Sequence, residues 1–181
     1  HDVKPAVLVV GGLFDAEDCY GTWGTYKSLK ALSPQTQTQL IMGPWFHGAW
    51  ERDRGNHLGD IYFGANTSEY YLNDVEFRFF QYYLNGEGPK PDLDNHIKIY
   101  ITGADEWKQF DVWPPKNSKE TKIYLHEGGK LSTQAPKQSK SFSAYTSDPD
   151  HPVPYTDEIN RGKTREYMTH DQRFASRRPD V

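Results

Sequence analysis

The sequence predicts an α/β fold that passes into an all-β one, on three observations. Two short apolar runs, at residues 7–10 and 40–42, flank a segment with helical periodicity, the pattern of a strand, helix and strand in a parallel sheet. A glycine and proline cluster at 86–91 then breaks the composition of the chain and marks a boundary. Beyond it apolar residues recur at every second position, as in strands of an antiparallel layer. The expected organisation is therefore one domain over residues 1–88 and a second over 89–181.

Each element has its own reason. Residues 6–10 are apolar, valine-rich and followed by Gly11 and Gly12, which predicts a strand covered on both faces. Tyr20, Trp23, Tyr26, Leu29 and Leu32 share one helical face over 19–32, and Pro34 stops that helix. Residues 39–45 form the second apolar strand, and 48–64 are polar, glycine-bearing and without period, as in a long active-site loop. Over 68–84, Tyr71, Val75 and Phe79 fall on one stripe, with Leu72, Phe80, Tyr83 and Leu84 beside it. A helix with so wide an apolar face packs on a large surface, most simply the sheet. Ile97, Ile99 and Ile101 alternate with Lys98, Tyr100 and Thr102, and Ile123 and Leu125 alternate with Tyr124 and His126 before a turn at 127–130. These predict an antiparallel β layer.

The bulk composition excludes more than it assigns. A net charge of −4 over 181 residues offers neither nucleic acid nor an anionic membrane a basic face. The single cysteine, Cys19, rules out an intrachain disulfide framework and a cysteine-rich metal site. Aromatic residues make up 14% of the chain, which suits stacked layers or a pocket for an aryl group. No apolar segment reads as a membrane span, and no leader segment is legible. A strand buried on both faces at the very start needs sheet neighbours that these residues do not supply. The chain is therefore expected to be part of a longer protein.

The chemistry lies where the first two strands end. The first runs into Asp15 and the second into His47, so adjacent parallel strands would bring an acid and an imidazole together at one sheet edge. The order acid then histidine is that of the last two members of a serine, aspartate and histidine triad in an α/β-hydrolase; no nucleophile is evident. Taken singly, Asp15 also reads as a helix cap, and His47 as a solvated loop residue. Asp15, Glu17, Asp18, Asp53, His57 and Asp60 are of metal-ligand type, yet their spacing matches no metal-binding loop, and no metal is expected. Cys19 stands at a helix start after the acid, which is the wrong order for a nucleophile and suits a small buried thiol. Asn66, Thr67 and Ser68 form a glycosylation triplet of a kind common by chance. Trp23, Trp45 and Trp50 read equally well as pocket walls and as core.

The motifs Gly-Leu-Phe-Asp-Ala-Glu-Asp at 12–18, Gly-Pro-Trp-Phe-His at 43–47, and His-Asp-Gln-Arg-Phe with Arg-Pro-Asp-Val within 170–181 resemble the α-amino acid ester hydrolases. The wider group holds cocaine esterase, glutaryl-7-aminocephalosporanic acid acylases and X-Pro dipeptidyl-peptidases. The resemblance covers essentially the whole chain. It implies the carboxy-terminal part of an α/β-hydrolase domain, followed by the beginning of a jelly-roll β-sandwich. The serine nucleophile would then lie in a missing amino-terminal part of the same protein.

Carried over by position, Asp15 matches the triad acid and His47 the base. Glu17 and Asp18 match two carboxylates that bind the substrate's α-ammonium group. Ala16 departs from a glutamine frequent in the family, at a position with neither role. The implied reaction is acyl transfer from α-amino acid esters and amides, β-lactam antibiotics included, with no cofactor. The resemblance also admits a homo-oligomer and a periplasmic or secreted location. The alternatives are another activity of the same group or a non-catalytic jelly-roll binding module. As helix-start acids facing the macrodipole, Glu17 and Asp18 would need no ligand.

Overall fold

The computed structural model describes residues 2–91, 97–138, 140–142, 144, 146–154, 156 and 173–177. Strand β1 (Val7–Gly12), helix α1 (Cys19–Leu32) and β2 (Thr38–Gly43) form the predicted strand, helix and strand. β1 and β2 pair in parallel with Val9 opposite Leu40 and Gly12 opposite Gly43. Every residue of β2 is buried, because it is an inner strand with both faces covered. β1 differs from the expectation of two buried faces. It is an edge strand among the described residues, and Val7, Leu8 and Val10 are only half-buried.

The expectation that a separate β layer begins after residues 86–91 does not hold for the next two strands. β5 (Ile97–Ile101) returns to pair in parallel with β2, placing Leu40 opposite Ile97. β6 (Glu106–Phe110) then adds antiparallel to β5. The result is one mixed sheet in the order β1-β2-β5-β6. The alternation at 97–102 predicted an antiparallel layer, but β5 pairs in parallel with β2, and Tyr100 is as buried as Ile97 and Ile99, since both faces of β5 are covered.

One face packs against α1, where Val9, Leu40, Met42, Ile97 and Ile99 meet Tyr26, with Trp23 and Leu29 alongside. On the other face Ile41 and Tyr100 join Trp45, Phe46, Tyr71 and Val75. The last two come from a continuous helix over 67–85, which passes through π-helical turns at Tyr71–Glu76 and Gln81–Asn85. Its predicted stripe of Tyr71, Val75 and Phe79 is buried, whereas Phe80 and Leu84 are exposed. Gly86, in the left-handed region at φ 71°, ends it as a glycine C-cap does.

The loop after β2 carries a short 3₁₀ turn at Ala49–Glu51 and a two-stranded hairpin, β3 (His57–Leu58) with β4 (Ile61–Tyr62). Leu58 and the nearby Phe63 anchor it in the core. Beyond β6, β7 (Tyr124–His126) and β8 (Lys130–Ser132) pair around the turn at Glu127–Gly129, as expected. His96, His170 and most of the motif residues within 170–181 lie outside the described residues. Among the described residues no helix is long and apolar enough to cross a membrane.

Candidate active site

The two strand ends meet as the sequence suggests. Past Gly12 and Gly43 the chains do not separate: Leu13 N–H donates to the Gly43 carbonyl at 2.9 Å, and Phe14 N–H to the Trp45 carbonyl at 3.1 Å. Both glycines are needed for that approach. A Cβ on Gly12 would lie 2.1 Å from the Trp45 carbonyl oxygen, and one on Gly43 would lie 2.4 Å from the indole ring. The acid loop and the histidine loop are therefore fastened together by main chain before any side chain is considered.

Asp15 and His47 face one another on these loops. His47 Nδ1 lies 3.0 Å from Asp15 Oδ2 and 3.3 Å from Oδ1. The Asp15 side chain is 2% exposed and that of His47 36%, so the acid sits behind the ring and the ring reaches solvent. Asp15 Oδ1 also accepts the N–H groups of Glu17 at 2.8 Å and Asp18 at 3.0 Å. Burial alone would raise the Asp15 pKa, but the Asp18 and Glu17 N–H bonds and His47 outweigh it and hold the carboxyl below its ordinary value. The His47 pKa moves the other way. Its hydrogen bond to Asp15 raises it, against a smaller desolvation effect, with help from the charges of Asp15, Glu17 and Asp18.

An ionised carboxylate only accepts hydrogen bonds, so the proton of neutral His47 sits on Nδ1. Nε2 is left as the basic nitrogen, its ring fixed by a buried acceptor. That is the tautomer a general base requires.

Glu17 and Asp18 are exposed on the same loop. Asp18 is the residue before α1 but makes no side-chain capping bond, and its Oδ2 lies 3.9 Å from His47 Nδ1. The helix-cap reading thus leaves its carboxylate unused, while the main chains of Glu17 and Asp18 hold Asp15. Asp53 is engaged elsewhere, accepting the Gly55 N–H. Among the described residues no three His, Cys, Asp or Glu side chains converge as metal ligands would. Cys19 is half-buried against the α1-side core.

Of the tryptophans, Trp45 is core at 1% exposed, and Trp50 tilts against it at 5.7 Å between ring centres. Trp23 instead stacks on Trp113 at 6.0 Å. Thr67, read from sequence only as part of a glycosylation triplet, is buried and accepts the Trp45 indole N–H at 2.9 Å. The sequence carries no signal of that role, since a threonine near a helix start does not show which indole it meets.

The same chain pattern occurs in known proteins. An aminopeptidase from the marine sediment archaeon Thaumarchaeota archaeon superimposes with a TM-score of 0.82 at 35% identity, over 99% of this chain and 30% of that one. An α-amino acid ester hydrolase superimposes with a TM-score of 0.78 at 34% identity, over 96% of this chain and 30% of that one. In sequence, the cocaine esterase of Rhodococcus sp. (strain MB1 Bresler) is 26% identical over 165 residues, 84% of this chain and 27% of that protein. The relatives are hydrolases. The chain spans under a third of the length of each. No family model matches it. The mixed α/β sheet described above is shared with the two solved relatives.

Proposed function

We propose that this chain carries the acid and base of a serine hydrolase that cleaves or transfers the acyl group of α-amino acid esters and amides. The carrying observation is the Asp15–His47 pair, with its buried carboxylate, its solvent-facing ring and a 3.0 Å contact. In this reading His47 Nε2 takes the proton of an attacking serine hydroxyl, and the ester or amide carbonyl becomes an acyl-enzyme. His47 then returns the proton to the leaving group, and water or an amine resolves the intermediate. Asp15 holds the imidazole in register and stabilises the imidazolium that forms.

The serine belongs to polypeptide outside these 181 residues, and the half-buried edge of β1 suits further sheet on that side. The segment after β6 would begin a jelly roll. No cofactor enters this chemistry.

The free-amine preference rests on Glu17 and Asp18. Two carboxylates that are exposed beside the base, with Asp18 free of capping, suit a substrate ammonium, which needs opposite charge when desolvated. The solved relatives, an aminopeptidase and an α-amino acid ester hydrolase, bear names that speak of such substrates. A plain esterase or a glutaryl acylase would gain nothing from that charge.

The test compares an amino acid ester, an X-Pro anilide and a glutaryl amide on the full-length protein. The amino ester is expected to be the best substrate. Glu17→Gln is expected to raise KM for it by about tenfold while leaving an acetyl ester unaffected; an unchanged KM would remove the amine-binding role. A fluorophosphonate probe is expected to label the full-length protein and not the 181-residue chain. No label on the full-length protein would overturn the serine mechanism.

A further inference from the structure

Trp45 joins the loop that carries Asp15 to the buried core beneath the loop that carries His47. Its carbonyl accepts the Phe14 N–H at 3.1 Å, one residue before the acid. Its own main chain stands two residues before the histidine. Its ring is 1% exposed and is gripped on several sides, by Trp50, by Tyr71 at 5.5 Å between ring centres, and by Trp107 at 5.9 Å.

The one polar atom of that ring is also satisfied. The indole N–H donates to Thr67 Oγ1 at 2.9 Å, and the Thr67 hydroxyl donates onward to the Gly55 carbonyl at 2.6 Å. Thr67 is 1% exposed and opens the long helix that covers this face of the sheet. A Cβ on Gly55 would come within 2.5 Å of the Thr67 hydroxyl, so the residue seating it has no side chain by necessity of space.

These contacts form a continuous strut: Gly55 carbonyl, Thr67 hydroxyl, Trp45 indole, Trp45 carbonyl, Phe14 amide, Asp15. A buried indole with its N–H bonded has few alternative rotamers, because rotation would strand a polar donor in an apolar core. Its main chain is fixed with it, and so is the loop that carries the acid. We propose that Trp45, seated by Thr67, is the positioning residue that holds Asp15 within hydrogen-bonding reach of His47.

The inference rests on the reading of Asp15 and His47 as a working pair. Its test does not need turnover. Thr67→Val keeps the shape of the side chain and removes the acceptor for the indole; Thr67→Ser keeps the hydroxyl. Trp45→Phe keeps a buried ring and the carbonyl while removing the N–H. His47 titration is followed by NMR of the ¹⁵N-histidine-labelled full-length protein, its signal identified by its loss in His47→Gln. The acids that bear on this ring are Asp15, Glu17 and Asp18; of these, the strut governs Asp15.

Thr67→Val and Trp45→Phe are each expected to lower the His47 midpoint by about half a pH unit or more, and Thr67→Ser to leave it in place. A merely structural role for Thr67 would lower the unfolding temperature without moving that midpoint. Folded Thr67→Val and Trp45→Phe proteins with an unmoved midpoint would overturn the proposal, as would a shift in Thr67→Ser equal to that in Thr67→Val. Should Thr67→Val fail to fold, Trp45→Phe decides. Absence of esterase activity in the full-length wild type would remove the proposed function and leave these titrations as they are.

Discussion

Replacing Asp15 by asparagine preserves the outline of the side chain but lets it offer an N–H to His47 where only an acceptor now stands. The imidazole would then carry its proton on Nε2, the wrong nitrogen for a base. In the full-length protein Asp15→Asn is expected to cost on the order of 10⁴ in kcat, as the same change does in serine proteases. The His47 midpoint should fall, because the hydrogen bond and charge that raise it are both gone; a pH-rate profile and an NMR titration measure the two effects. Asp15 and His47 were legible in the sequence because each ends an apolar run, and adjacent strands put such ends side by side. The main-chain work of Glu17 and Asp18 on Asp15 Oδ1 was not legible, since an amide donor carries no side-chain signature. Trp45 was ambiguous for a related reason: composition cannot tell a ring that lines a pocket from one that braces a loop.

At the level of elements, the glycines divide by what surrounds them. Gly12 ends β1 against the Trp45 carbonyl, 2.1 Å from where a Cβ would sit, and main chain there cannot yield. Gly12→Ala is expected to destabilise by about 1–3 kcal/mol or more. Gly24, inside α1, has no atom within 4 Å of its would-be Cβ, so Gly24→Ala is expected to stabilise by roughly 0.5–1 kcal/mol through helix propensity. Urea unfolding of the two variants reads both signs. The bounds of α1 followed from spacing together with Pro34, and the buried stripe of the long helix from spacing. The partner of β5 did not, because alternation along a strand reports how its two faces differ and says nothing about which neighbour it pairs with.

For the molecule as a whole, Asp15 and His47 tie stability to pH in opposite directions. The raised His47 pKa adds stability that is fully present below its unfolded value of 6.5 and is lost as pH rises through the folded value. The lowered Asp15 pKa adds stability that is present above its unfolded value of 3.8 and is lost as pH falls through the folded value. Thermal unfolding across pH should therefore show wild type losing its margin over His47→Gln on the alkaline side, discounted because the ring is partly exposed. The α/β class was legible from two apolar runs and the helix between them. The extent of the sheet was not, since a glycine and proline break at 86–91 ends a helix whether or not the next strand returns to the same sheet. That return has a consequence for the order in which the chain is built. The acid and the base are 32 residues apart on a single strand, helix and strand unit, whereas β5 can reach β2 only after the histidine loop, the hairpin and the long helix have all been traversed. Wider loops cost more chain entropy to close, and pairings across them form later. Asp15 and His47 are thus brought together across a shorter stretch of chain than the one that joins β5 to β2.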